Sequence, residues 1–125
     1  SVDATSKALE ALSEIDGKTV LILGGRGKNA PYEPLVPLIE SSVRSIVVIG
    51  EDAENIESQL TGYVPIVRAF SLDDAVQKCF EVAEPGDAVL LAPACASFDM
   101  FGSYEERGRE FKRFVAELKQ SRAKS

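Results

Sequence analysis

Two short stretches hold the residue types that could do chemistry. The first is LILGGRGKNAPYEP, residues 21–34, where an apolar run breaks into Gly24, Gly25 and Gly27 and is followed by Lys28. Glycines after a strand leave backbone N–H groups open to a ligand, and lysine adds a compact positive charge, so the pattern suits a carboxylate or a phosphate. The plainer reading is a tight turn with a solvated lysine. The second stretch, LLAPACASFDMFGSYEERGREF from residue 90, puts Ser97 at the tip of a small-residue turn ahead of an aromatic-acid-Arg-Gly run. The chain has no histidine. Ser97 therefore has no imidazole to make it a nucleophile and reads as a hydrogen-bonding group, and His-based metal sites are excluded. Cys95 reads as an ordinary small thiol.

Both phosphate templates fit the first stretch poorly. In a P-loop, four residues separate the first glycine from Gly-Lys, and Ser or Thr follows. Counting back from Gly27-Lys28 reaches Ile22, and Asn29 follows the lysine. The dinucleotide pattern G-x-G-x-x-A is met by Gly25, Gly27 and Ala30, with Glu51 placed as a ribose-binding acid. However, Pro31 steers Ala30 away from helical dihedrals, and Pro34 delays the helix that should point at pyrophosphate.

The elements that must position these stretches alternate. Residues 5–15 have helical periodicity and stop at Asp16-Gly17, and TVLILGG is a continuous apolar strand covered on both faces. PLVPLIESS (34–42) is a short helix that tolerates Pro37 only near its first turn. SIVVIG (45–50) is a strand, EDAENIESQL (51–60) a helix with acids in its first turn, and VPIVRAF (64–70) a strand. SLDDAVQKCFEVA (71–83) is a helix opened by Ser71, with Asp74 three residues on in a near variant of the capping box. AVLLAP (88–93) is the fourth strand, and a last helix runs from Tyr104 to Gln120 with Phe111, Phe114, Val115 and Leu118 on one face. Such alternation implies right-handed crossovers: an α/β, Rossmann-like three-layer sandwich, its mostly parallel sheet covered by helices on both faces. Ligands then bind at the carboxyl ends of the strands, where both stretches lie.

At 125 residues the chain is one domain. A net charge of −6 argues against nucleic acid. The basic residues near the C-terminus alternate with Glu105, Glu106, Glu110 and Glu117, as on a solvated helix. Two cysteines make no disulfide framework, so a reducing cytoplasm is expected. No run approaches the roughly 18 apolar residues of a membrane span.

Together, Gly24-Gly-Arg-Gly-Lys28 and the segment from Pro93 to Gly108, with Glu110-Phe111, resemble the C-terminal domain of the Mur ligase family, and within it the branch that adds D-glutamate. The resemblance covers essentially the whole chain, and Pro-Ala-x-Ala-Ser is its most specific part. It implies a three-domain, cytoplasmic, monomeric ligase of peptidoglycan synthesis, with residues 1–125 as the excised third domain. With ATP and Mg2+, such a ligase phosphorylates a muramoyl-alanine carboxylate, and the amine of D-glutamate attacks the acyl phosphate. It further implies that Lys28 contacts the amino acid's carboxylate, that Ser97 and the backbone of Phe98 hydrogen-bond it, and that Tyr104 lines the pocket. A substrate-contacting threonine of the family lies upstream of the first helix, and Thr5 is not that residue. No catalytic residue, ATP loop or magnesium ligand is expected within residues 1–125, and the isolated domain is expected to be inactive. The alternatives are a Mur ligase for a different amino acid and a free-standing Rossmann-like module that binds NAD through residues 25–30.

Overall fold

The computed structural model describes residues 2–24, 31–92, 109, 111–113 and 115–117. Strands β1 (Thr19–Gly24), β2 (Val43–Ile49), β3 (Ile66–Arg68) and β4 (Ala88–Leu91) form one sheet in the order β3-β2-β1-β4. Every pairing is parallel. The helices are α1 (Val2–Ala11), α2 (Val36–Ser42), α3 (Ala53–Leu60) and α4 (Leu72–Val82). Residues 109, 111–113 and 115–117 are helical, as expected of the last helix.

Alternation along the two central strands separates two cores. Leu21 and Leu23 of β1, with Ile46 and Val48 of β2, pack against Leu9, Ile39, Ile56 and Leu60 of α1, α2 and α3. Val20, Ile22, Val47 and Ile49 point the other way, onto Leu72, Ala75, Val76 and Cys79 of α4, with Phe111 and Val115 against the same cluster. All six positions of β1 are buried, which is why its sequence is apolar without alternation. The chain steps from β1 to β2 to β3 in one direction, then crosses back over β1 to reach β4. Right-handed crossovers in opposite directions put their helices on opposite faces, which gives the expected three layers. Burial pushes the Cys79 thiol up to about 12, so it is a packing residue without thiolate reactivity.

Several boundaries differ from the sequence-based expectations for local reasons. The first helix spans 2–11 instead of 5–15. Beyond Ala11 the Leu12 N–H is shared between the Ala8 and Leu9 carbonyls, and the Ser13 hydroxyl donates to the Glu10 carbonyl at 2.7 Å, so the end tightens into turns. At α2 the Ser42 hydroxyl donates to the Leu38 carbonyl at 2.8 Å, and Val43 is already extended, so helix passes into strand without a loop. Pro37 lies in the first turn of α2, where its missing N–H is harmless. The α4 cap forms, since the Ser71 hydroxyl accepts from the Asp74 N–H at 3.1 Å. The reciprocal bond goes one residue further back than in a standard capping box: Asp74 accepts from the Phe70 N–H at 2.9 Å. On the last helix Arg113 pairs with Glu117 at 3.0 Å in solvent, as charges on a solvated face should.

Candidate functional site

The sheet order puts β1 beside β4, and this is where the direction of the crossovers reverses. Ile22 is in register with Leu91, and the Ala92 N–H donates to the Ile22 carbonyl at 3.0 Å. The stretches that follow Gly24 and Ala92 thus leave the carboxyl edge from neighbouring strands, about 4.8 Å apart across a ladder. Such a switch point is where open parallel sheets bind ligands. Lys28, Ser97, Phe98, Tyr104 and Cys95 lie outside the described residues, as do Gly25, Gly27 and Ala30.

Both ends of the segment that holds Lys28 are described. At the start, Gly24 has φ +155°, and a Cβ there would run into the Ile49 carbonyl of β2. Glycine is required at this rung because two backbones meet with no room for a side chain. At the far end the Tyr32 ring is buried, its hydroxyl donates to Asp52 Oδ2 at 2.8 Å, and its N–H donates to Gln59 Oε1 at 2.6 Å. Asn55 Nδ2 reaches the same Asp52 oxygen at 3.4 Å, and Gln59 Nε2 donates to Asn55 Oδ1 at 3.1 Å. Nothing in the spacing of these residues points to this network. By sequence Asp52 is one of the acids at the start of α3, which is its place in the chain but not what its carboxylate does.

The geometry weighs against the dinucleotide reading. After Pro31 and Tyr32 comes a 3-10 turn, Glu33–Leu35, and α2 starts only at Val36. No helix N-terminus therefore follows directly on Ala30 to meet a pyrophosphate. Glu51, the candidate ribose ligand, is exposed in the turn after β2.

The amino edge is built differently. Asp87, its side chain fully buried, accepts from Arg44 Nε at 2.6 Å and Arg44 Nη2 at 3.2 Å, and from the backbone N–H groups of Lys18 and Glu84, both at 2.8 Å. The Arg44 guanidinium beside Asp87 is the main cause that holds its carboxyl well below the usual range, with the two backbone donors adding to it. Among the described residues no cluster of His, Cys, Asp or Glu could hold a metal, and no helix is long and apolar enough to cross a membrane.

The family model described as "Mur ligase, glutamate ligase domain" matches residues 1–95. A UDP-N-acetylmuramoylalanine--D-glutamate ligase of Pseudomonas fluorescens (strain Pf0-1) is 46% identical over 119 residues, which are 94% of this chain and 27% of that protein. The Pseudomonas putida protein of the same name is 51% identical over 112 residues, 89% of this chain and 25% of that one. The Pseudomonas aeruginosa one is 48% identical over 119 residues, 94% of this chain and 27% of that one. The chain thus spans about a quarter of the length of these curated relatives. A solved domain from a Haemophilus ducreyi protein, assigned as a UDP-N-acetylmuramate:L-alanyl-gamma-D-glutamyl-meso-diaminopimelate ligase, superposes with a TM-score of 0.52. It covers 90% of this chain and 80% of that one, and at 16% identity it supports the fold alone.

Proposed function

We propose, because this chain belongs to the Mur ligase family, that it is the amino-acid-binding domain of a three-domain, cytoplasmic, monomeric D-glutamate ligase of peptidoglycan synthesis. The relatives at 46–51% identity that carry the D-glutamate name support the choice of amino acid. The observation that carries the reading is the switch point. The segments holding Lys28 and Ser97 begin beyond Gly24 and Ala92, at the carboxyl ends of paired strands.

In this reading Lys28 supplies the positive charge for a carboxylate of D-glutamate. Ser97 and the Phe98 N–H add hydrogen-bond donors, and Tyr104 gives an apolar wall that fixes orientation. The domain's contribution to rate is to hold the amine in line with its target, since orientation alone can lower a bimolecular barrier substantially. The residues present do not fit a nucleotide phosphate site, because the P-loop spacing is not met and α2 starts too late to complete the dinucleotide pattern. ATP with Mg2+, held by the other domains, supplies the phosphoryl group that activates the acceptor carboxylate.

Steady-state kinetics of the full-length ligase tests this. Lys28→Ala and Ser97→Ala should raise KM for D-glutamate while leaving KM for ATP and for the UDP-sugar acceptor unchanged. Equal effects on all three substrates would count against the assignment. In an NMR titration of the 125-residue chain, D-glutamate should shift Lys28 and Ser97. Shifts by NAD at Gly25, Gly27 and Glu51 would favour a nucleotide module instead.

A further inference from the structure

We infer that Tyr32 and Asp52 act as a positioning pair for the amino-acid site, setting where the segment that carries Lys28 returns to the sheet; this rests on the D-glutamate reading above. Asp52 stands at the N-cap of α3, where an aspartate normally turns its carboxylate onto the first N–H groups of its own helix. Here it makes no such bond. Asp52 is 6% exposed, and its carboxylate is turned across to the Tyr32 hydroxyl, 20 residues away in sequence. Burying a carboxylate is costly unless it is hydrogen-bonded, and a phenylalanine at position 32 would fill the same apolar place without needing an acid. Packing alone therefore does not account for the pair.

Its location supplies the account. Lys28 lies between two fixed points, Gly24 locked against the Ile49 carbonyl and Tyr32 held through both its N–H and its hydroxyl. Only seven residues, 25–31, separate those points. The place of the second point sets the span that the segment holding Lys28 must cover. Gln59 and Asn55 extend the anchor along one side of α3, so the segment is referenced to a helix packed on the sheet. Neither Tyr32 nor Asp52 needs to touch substrate.

The test uses the full-length ligase with Tyr32→Phe, Asp52→Ala and their combination, and with Lys28→Ala and Ser97→Ala as references. Each single change should raise KM for D-glutamate about tenfold, with kcat and the KM values for ATP and acceptor within about twofold, because a displaced ground-state contact weakens binding uniformly. The combined variant should be no worse than Asp52→Ala alone, since the bond that Tyr32→Phe removes is already lost in it. Asp52→Asn, which keeps an acceptor for the hydroxyl, should stay within about threefold of wild type. Unchanged KM for D-glutamate in Tyr32→Phe, or a parallel rise for all substrates, overturns the inference. If Asp52→Ala does not fold, Tyr32→Phe decides alone, since it keeps the buried ring. If Lys28→Ala and Ser97→Ala also leave KM for D-glutamate unchanged, the D-glutamate reading falls and takes the positioning role with it.

Discussion

The two edges of the sheet solve the same problem by opposite means. At the amino edge Asp87 ties Arg44 at the start of β2 to Lys18 and Glu84 through four hydrogen bonds, and every bond stays within the clamp. A Cβ on Gly17 would come within 2.6 Å of Asp87 Oδ1 and of the Gly86 backbone, so the turn below β1 is closed around that carboxylate. At the carboxyl edge the strands end instead in long connections. There Gly24 is held to glycine by the Ile49 carbonyl, and the Tyr32 hydroxyl donates to Asp52 where the chain returns. The lesson is a division of labour under the proposed function: one edge uses its polar groups on itself, and the other would use them to place the residues of the amino-acid site.

That division can be broken in graded steps. The largest effect belongs to the carboxyl edge: Lys28→Ala in the full-length ligase should lower kcat/KM for D-glutamate by roughly 100- to 1000-fold, as loss of a charged contact does. Asp87→Ala should leave KM for D-glutamate unchanged; a large change there would join the edges functionally and refute the contrast. Next comes Gly24→Val, which drives a side chain into the Ile49 carbonyl at a positive φ and should cost about 3 kcal/mol or more of stability, read by thermal or urea unfolding. Asp87→Ala itself should lower the melting temperature by on the order of 10 °C, because it orphans two backbone donors and leaves Arg44 only its ion pair with Glu84.

The clamp also has a pH signature. The folded Asp87 carboxyl titrates below its unfolded value, so its stabilisation is complete above the ordinary aspartate pKa of about 4 and is lost as pH falls through the lower folded value. The stability gap between wild type and Asp87→Asn should therefore be constant near neutrality and narrow below about pH 4. Unfolding at pH 7 and at pH 3 checks it. The smallest effect is expected at α4, where Ser71→Ala removes one cap bond and should cost about 1 kcal/mol.

Much of this fold was legible from residue order. The two central strands announce themselves as apolar runs because both faces are covered, and the Ser71 cap is local chemistry that needs no tertiary partner. Element ends were less legible. Ser13 and Ser42 compete for helical carbonyls, and the short edge strand β3 borrows pairing from Pro65 and Ala69 beyond its three residues. At the site, Lys28 and Ser97 stood out by type and spacing, whereas Asp52 looked like an ordinary helix-start acid. Nothing in Gly50-Glu51-Asp52 says that its carboxylate will turn to a tyrosine 20 residues earlier.

The sequence by itself determined the α/β alternation, the absence of histidine chemistry and the two segments that hold the candidate ligands, because periodicity and residue type are local properties. Only the tertiary structure decided that β4 pairs with β1 and not with β3, which brings the exits of those segments together. It also decided that Asp87 accepts from Arg44, Lys18 and Glu84 at one edge and that Asp52 accepts from Tyr32 at the other. Strand order and the direction of a buried carboxylate depend on long-range hydrogen bonding, which spacing along the chain does not encode.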